Sequence, residues 1–284
     1  MILLKNDVLT VTIAKQGAEL KSIKDINLVE YMWHADAKFW NKTSPVLFPI
    51  VGSLKNNTYF YDNKPYHLPR HGFARDYEFD CKILSDTEAI FTLEANVETY
   101  KVYPFLFKLS LHYQLLNNSL SCTYIVTNLD SKTMPFCIGG HPAFSLPDGI
   151  SNYALYFNND TVLNRLKLTT EGLISNKTET IALNNQYLPL SHELFYKDAL
   201  VFRDLKSTEI LILNKKVNKK VTFSFEGFTH FGIWSAPNAP FICLEPWCGM
   251  ADLENHNQNI DTKEGVINVD CSKTITKSYQ IIID

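Results

Sequence analysis

"PFLFKLSLHYQLLNNSLSCTYIVTN", residues 104–128, decides the fold class. Phe105, Phe107, Leu109, Leu111, Tyr113 and Leu115 fall on one face of this run, with Lys108, Ser110, His112 and Gln114 on the other. A period of two is that of an extended strand, whose successive side chains point to opposite faces. Asn117-Asn118 supplies turn residues, and LSCTYIVTN then returns. The stretch predicts a long, half-buried antiparallel hairpin. The same alternation recurs in VLTVTIA, YEFDCKIL, EAIFTLEAN, YALYFNN, DALVFRDL, EILILN, KKVTFSFEGF, FGIWSA, PFICLEP and TKSYQIIID. Turn residues separate these runs, among them Asp62-Asn63, Asn158-Asn159-Asp160 and Pro237-Asn238. Helical periodicity is confined to short turns around DAKFW and SHELF. Many short strands predict an all-β antiparallel sandwich or barrel, not a parallel sheet with crossover helices. No repeat, low-complexity tract or linker divides residues 1–284, so one domain is expected.

Composition narrows the function classes. Hydrophobic residues make up 45% and charged residues 20%, as in ordinary globular proteins. A net charge of −3 gives no electrostatic reason to expect nucleic acid or an anionic membrane as partner. No apolar run approaches the roughly 20 residues that span a bilayer. The N-terminal MILLKNDVLTVTI meets Lys5 and Asp7 too early for a secretory apolar region, so a soluble, cytoplasmic protein is expected. Six cysteines, at positions 81, 122, 137, 243, 248 and 271, form no C-x-x-C pair. Several lie in strand-like runs, which fits buried reduced thiols better than a disulfide framework. Cys137 and His141 have a spacing that a metal could use, but no second Cys/His cluster completes a tetrahedral set, and no metal is expected. Neither a dinucleotide fingerprint nor a phosphate-cradling loop occurs, so no cofactor is expected.

Three stretches could carry chemistry. In FCIGGHPAFSLP, residues 136–147, His141 stands between two glycines, which permit unusual backbone angles, and Pro142, which pushes it towards an extended conformation. A tight turn with an incidental histidine would look the same. In APFICLEPWCGMAD, residues 239–252, alternation puts Phe241, Cys243 and Glu245 on one face. A carboxylate on an apolar face has its pKa raised and becomes a better proton acceptor. A solvated glutamate at a strand end is the competing reading. In YHLPRHGFARDYEFD, His67 and His71 are four apart, but Pro69 rules out a shared helix and an extended chain puts them roughly 13 Å apart. His71 reads as a histidine at a sharp bend with Arg70 and Arg75 nearby, or as part of a basic surface loop.

RHGFAR, GGHPAF and CLEPWCGMAD, in this order within a β-rich chain, resemble the aldose 1-epimerase (galactose mutarotase-like) family, in its LacX-like branch. The resemblance runs from about SPVLFPIVGSL through CLEPW. It implies a single large antiparallel β-sandwich, the galactose mutarotase-like supersandwich, with few short helices and a sugar groove over one sheet. It implies a general acid at His141, a general base at Glu245, and a sugar-binding histidine at His71. Asp198, opening DALVF, matches the family's substrate-binding aspartate, with Asp204 as competitor. Phe144, Trp234 and Trp247 become candidates for the groove walls. Galactose-type members carry an Asn-Arg pair upstream of the His-Gly motif; here the stretch reads Val51-Gly52-Ser53-Leu54. Arg75 is then the candidate guanidinium, as in the related hexose-6-phosphate epimerases.

The implied function is interconversion of hexose anomers by acid-base ring opening and reclosure, which needs no cofactor or metal. The implied partner is a small sugar, free or phosphorylated, and the chain would act as monomer or homodimer. A hexose-6-phosphate 1-epimerase and a non-catalytic carbohydrate-binding protein of the same fold are the alternatives. A glycoside hydrolase would need two carboxylates flanking one bond, and only Glu245 has such a setting.

Overall fold

Residues 104–128 form the expected hairpin in the computed structural model, which describes residues 1–217 and 220–284. Strands Phe107–Leu116 and Ser119–Asn128 pair antiparallel from Leu116↔Ser119 to Phe107↔Asn128. Asn117, at φ 52°, helps turn the chain. Phe107, Leu109, Leu111, Tyr113 and Leu115 are buried on one strand and Leu120, Cys122, Tyr124 and Val126 on the other. Burying each such large side chain is worth about 1.5–3 kcal/mol. A one-residue slip would turn them all to the opposite face, which is why the alternation sets the register.

The hairpin sits within a nine-stranded sheet. Its order is Tyr187–Pro189, Tyr153–Phe157, Glu209–Asn214, Lys220–Ser224, Thr274–Ile283, Ser119–Asn128, Phe107–Leu116, Glu88–Glu94 and Asp80–Ser85. An eight-stranded sheet runs Ile174–Ala182, Val162–Leu168, Leu200–Phe202, His230–Trp234, Phe241–Cys248, Ile138–Gly140 and Val46–Leu47, with Ala143–Ser145 paired to Phe241–Cys248. The sheets bury their facing sides together: Phe223 of the first packs on Phe231 and Phe144 of the second. Half of the chain is strand and 7% is helical, so the all-β sandwich holds. Lys219 of the KKVTFSFEGF run lies outside the described residues. No helix among the described residues is long and apolar enough to cross a membrane.

Two readings are corrected here. Gly139 and Gly140 are not needed for backbone freedom: both lie in an ordinary strand. A Cβ on Gly139 would stand 2.6 Å from Trp247 Cδ1, and one on Gly140 would stand 2.6 Å from the Tyr124 hydroxyl. The space that the glycines leave is filled by protein, not held open. Phe144 is 1% exposed and packs on Phe223, in the core between the sheets and not in a groove wall. As expected, the DAKFW segment forms a single turn at residues 37–39, closed by Trp40 N–H on the Asp36 carbonyl, and SHELF contains a short 3₁₀ helix, His192–Leu194. The α-helix that forms, Val97–Val102, was missed because six mostly exposed residues show no apolar period. It starts at Asn96, whose side chain accepts from the Glu98 and Thr99 N–H groups while Thr99 Oγ1 accepts from Asn96 N–H.

A buried ion pair anchors the loop that leaves the central strand. Lys263 Nζ lies 2.8 Å from Asp252 Oδ1, and both side chains are almost fully buried. Asp252 Oδ2 accepts from Lys55 N–H, and Asp252 N–H donates to the Ser53 carbonyl. This carboxylate therefore clamps the 53–55 segment next to the residues described below. Burial works against its ionisation, but His256, the Lys263 charge and the Lys55 N–H outweigh it and hold the pKa at about 2, below the ordinary 3.8. A lowered carboxylate pKa stabilises the fold above pH 3.8, and that contribution, about 2 kcal/mol, is lost as pH falls through 2. Asp252→Asn leaves a buried unpaired lysine and is expected to lower unfolding free energy by about 3–5 kcal/mol at neutral pH, measured by urea denaturation. An unchanged midpoint would show that the pair contributes nothing.

Candidate active site

Strand Phe241–Cys248 runs through the eight-stranded sheet between His230–Trp234 and Ile138–Gly140, and all eight of its residues are buried. Ile242, Leu244 and Cys248 face the core between the sheets. On the outer face, Phe241 and Cys243 join an apolar cluster with Trp33, Trp40 and Trp234, while Trp247 joins a second with Val51 and Met250. Glu245 lies between them on that same face, 1% exposed. The strand-end reading of Glu245 in solvent is thus excluded.

His141 leaves strand Ile138–Gly140 just before Pro142, whose carbonyl accepts from Leu244 N–H. That bond ties the turn to the central strand and brings His141 Nε2 to 3.1 Å from Glu245 Oε2. His71 arrives from a bend in which both His71 and Gly72 have positive φ, 70° and 71°. Gly72 cannot carry a side chain, because a Cβ would stand 2.3 Å from the Phe48 carbonyl oxygen. Gly52 then fixes His71 twice: its carbonyl accepts from His71 N–H, and its N–H donates to His71 Nδ1. With Nδ1 an acceptor, the neutral ring carries its proton on Nε2 as a donor. The Val51-Gly52-Ser53 stretch, which lacks the upstream arginine, therefore holds His71 through its backbone.

These groups meet in a cleft of about 520 Å³. His71, His141 and Glu245 line it with Arg70, Arg75 and Asp198, between the rings of Trp40, Trp234 and Trp247. His71 and His141 stand edge to face, 5.8 Å between ring centres. Asp198, at φ 84°, accepts from Ala199 N–H and lies 3.6 Å from Arg70 Nη2. Arg75 Nη2 donates to the Arg70 carbonyl at 2.7 Å. Burial lowers His141 to about 3 and drives His71 well below its ordinary range; the charges of Arg70 and Arg75 add to both. Burial raises Glu245 well above the carboxylate range, against the opposing pull of Arg70. His141 Nδ1 and Glu245 Oε2 are buried with no hydrogen-bond partner, so the 3.1 Å approach is a contact without hydrogen-bond alignment. Buried polar atoms are normally satisfied, and two orphans at one cleft are what a polar ligand would pair.

The structure brings together His141, Glu245, His71, Arg75, Asp198, Trp234 and Trp247, all expected from the sequence. Asp204 lies elsewhere, in a smaller cleft of about 180 Å³ beside Asp160, whose carboxylate is taken up by the Lys206 and Ser207 N–H groups. His67 is exposed and contacts Thr58, away from the cleft. Trp40, Phe195 and Tyr196 were missed. Trp40 stands 4.8 Å from the His141 ring, yet an aromatic in an irregular segment carries no local mark of a wall.

The aldose 1-epimerase family model matches residues 1–263. The chain is 36% identical to the chromosomal protein LacX of Lactococcus lactis subsp. lactis over 99% of its length and 98% of that protein. It superimposes on a galactose mutarotase related enzyme from Lactobacillus acidophilus with TM-score 0.95 and 31% identity, covering 100% and 97% of the two chains. A galactose mutarotase-like protein from Lactobacillus casei gives 0.94 and 31%, with both chains fully covered. The order of the RHGF, GGHP and CLEPW motifs thus has its counterpart in likeness along the whole chain, which belongs to the aldose 1-epimerase family.

Proposed function

We propose that the protein interconverts the α and β anomers of a free aldohexose, with His141 as general acid and Glu245 as general base. The observation that carries this reading is the buried pair, 3.1 Å apart, at a cleft with polar groups on one side and tryptophans around it. Glu245 takes the proton of the anomeric hydroxyl while His141 gives one to the ring oxygen. The bond between the anomeric carbon and the ring oxygen breaks, leaving an open-chain aldehyde. After rotation about C1–C2 the roles exchange and the ring closes from the other face. The His71 Nε2–H and Asp198 would hold hydroxyls during the rotation, and Trp234 and Trp40 would pack on apolar ring faces. No step requires a cofactor.

One proton in the pair is the working state. Burial favours it on Glu245 with His141 neutral; Arg70 and the sugar's own dipoles favour the charged arrangement that starts the reaction. A second proton enters only as pH falls towards 3, and the last one leaves well above the ordinary carboxylate range. The rate profile is therefore expected to be bell-shaped, with its acid limb displaced far below the usual histidine range. Glu245→Gln and His141→Asn should each reduce anomer exchange, followed by NMR, by about 10²–10⁴ while sugar binding persists. Wild-type rates in both variants would sink the assignment. Binding without exchange in the native protein would favour a carbohydrate-binding protein instead.

A hexose 6-phosphate is the second reading, favoured by two guanidinium groups, Arg70 and Arg75, on one side of the cleft. Arginine pairs with phosphate through charge-assisted hydrogen bonds. Against it, Arg70 faces Asp198, and Arg75 is tied to the Arg70 carbonyl. Arg75→Ala assayed on a hexose and its 6-phosphate decides between them. Selective loss on the phosphate supports this reading, and equal loss on both removes it.

A further inference from the structure

Cys243 stands two residues before Glu245 on the outer face of strand Phe241–Cys248 and is fully buried. One donor atom each from His141, Cys243 and Glu245 lies within 4.8 Å of the other two. Three points so spaced share a common point at most about 2.8 Å (4.8/√3) from each. Zinc bonds to sulfur at about 2.3 Å and to nitrogen or carboxylate oxygen at about 2.0–2.2 Å. Closing the set on an ion therefore needs movements of about half an ångström per donor. The donors are also available: Glu245, 1% exposed, has Oε2 without a hydrogen-bond partner, and His141 Nε2 stands 3.1 Å from it without hydrogen-bond alignment. The proximity that the sequence suggested between His141 and Cys137 is not the relevant one. Cys137 packs against Gly249 in the cluster of Trp247, Val51 and Met250, whereas the central strand carries Cys243 to the imidazole.

We propose that His141, Cys243 and Glu245 form a binding site for a thiophilic divalent cation, Zn²⁺, whose occupancy blocks the acid-base pair. A mixed nitrogen, sulfur and carboxylate set suits zinc, whereas magnesium and calcium take oxygen donors. His141 and Glu245 line the cleft and Cys243 does not, so the ion would sit at the floor with a fourth position open towards the cleft. Burial and the nearby Glu245 keep the free thiol protonated; the cation reverses that preference by binding the thiolate and releasing its proton. Binding rests on geometry alone, and only its effect on turnover rests on the function proposed above.

The test is calorimetric titration of Zn²⁺ into the reduced protein, with Co²⁺ as a spectroscopic substitute. One ion per chain is expected, with a sulfur-to-cobalt absorption band. Cys243→Ser and Cys243→Ala should each weaken binding at least tenfold and abolish the band, with circular dichroism confirming that they fold. Cys271→Ser, which removes the exposed cysteine, should change neither. A saturating sugar should weaken Zn²⁺ binding, and a chelator should restore any anomer exchange that the ion suppresses. No binding, binding unchanged in both Cys243 variants, or binding lost in Cys271→Ser would overturn the site. Because binding is read without turnover, an inactive enzyme would count against the proposed function and not against this site.

Discussion

The carboxylate of Glu245, buried on the outer face of the central strand with an imidazole 3.1 Å away, is the constraint around which the rest of the cleft is organised. A lone ionised carboxylate cannot be buried cheaply: burial raises the Glu245 pKa well above the carboxylate range, and the field of Arg70 opposes that shift. In the function proposed above, the same burial makes the pair reactive, because a desolvated carboxylate is a stronger base and a desolvated imidazolium a stronger acid. A sandwich whose central strand is entirely buried supplies the rigid support that such a pair requires.

Close packing, not backbone freedom, explains most of the small residues around the pair. The Trp247 indole lies against Gly139 on one neighbouring strand and Gly232 on the other, where added Cβ atoms would stand 2.6 and 2.5 Å from its ring. The tryptophan is thereby fixed across three strands beside the cleft, with its N–H close enough to the Glu245 carboxylate to favour its charge. Conformational freedom matters at the bend instead, where His71 and Gly72 both have positive φ and Gly52 meets the ring with its backbone. The stretch without an upstream arginine positions His71 through its backbone, and the guanidinium groups lining the cleft are those of Arg70 and Arg75.

The polar side of the cleft balances its charges locally. Arg70 faces Asp198, and Arg75 is held by the Arg70 carbonyl and lies near Asp76. Exposed pairs of this kind contribute little stability, so their weight lies in the potential they set at the pair. Arg70 stabilises the Glu245 carboxylate and disfavours charge on both histidines, while Asp198 acts on Glu245 in the opposite sense. Deeper in the fold, Lys263 and Asp252 brace the segment beside Gly52, linking the ordering of a remote loop to the placement of His71.

Alternation determined the 104–128 hairpin, because a strand with one buried face must repeat every two residues, whereas Phe241–Cys248, buried on both faces, reads as a nearly continuous apolar run interrupted by Glu245. Strands with little apolar surface, such as the largely exposed Ile174–Ala182, and the short capped helix Val97–Val102 left no such trace. Glu245 was legible as a carboxylate on an apolar face, and His141 and His71 as histidines on constrained turns. That Asp198 and not Asp204 lines the larger cleft, the core position of Phe144, the place of Trp40 beside His141 and the approach of Cys243 to His141 follow only from the tertiary structure. Each depends on distances between segments far apart in the chain, and those distances are set by sheet order and by which ring fits which gap. Local sequence records the backbone's preferences and the polarity of a face; it does not record what stands opposite that face.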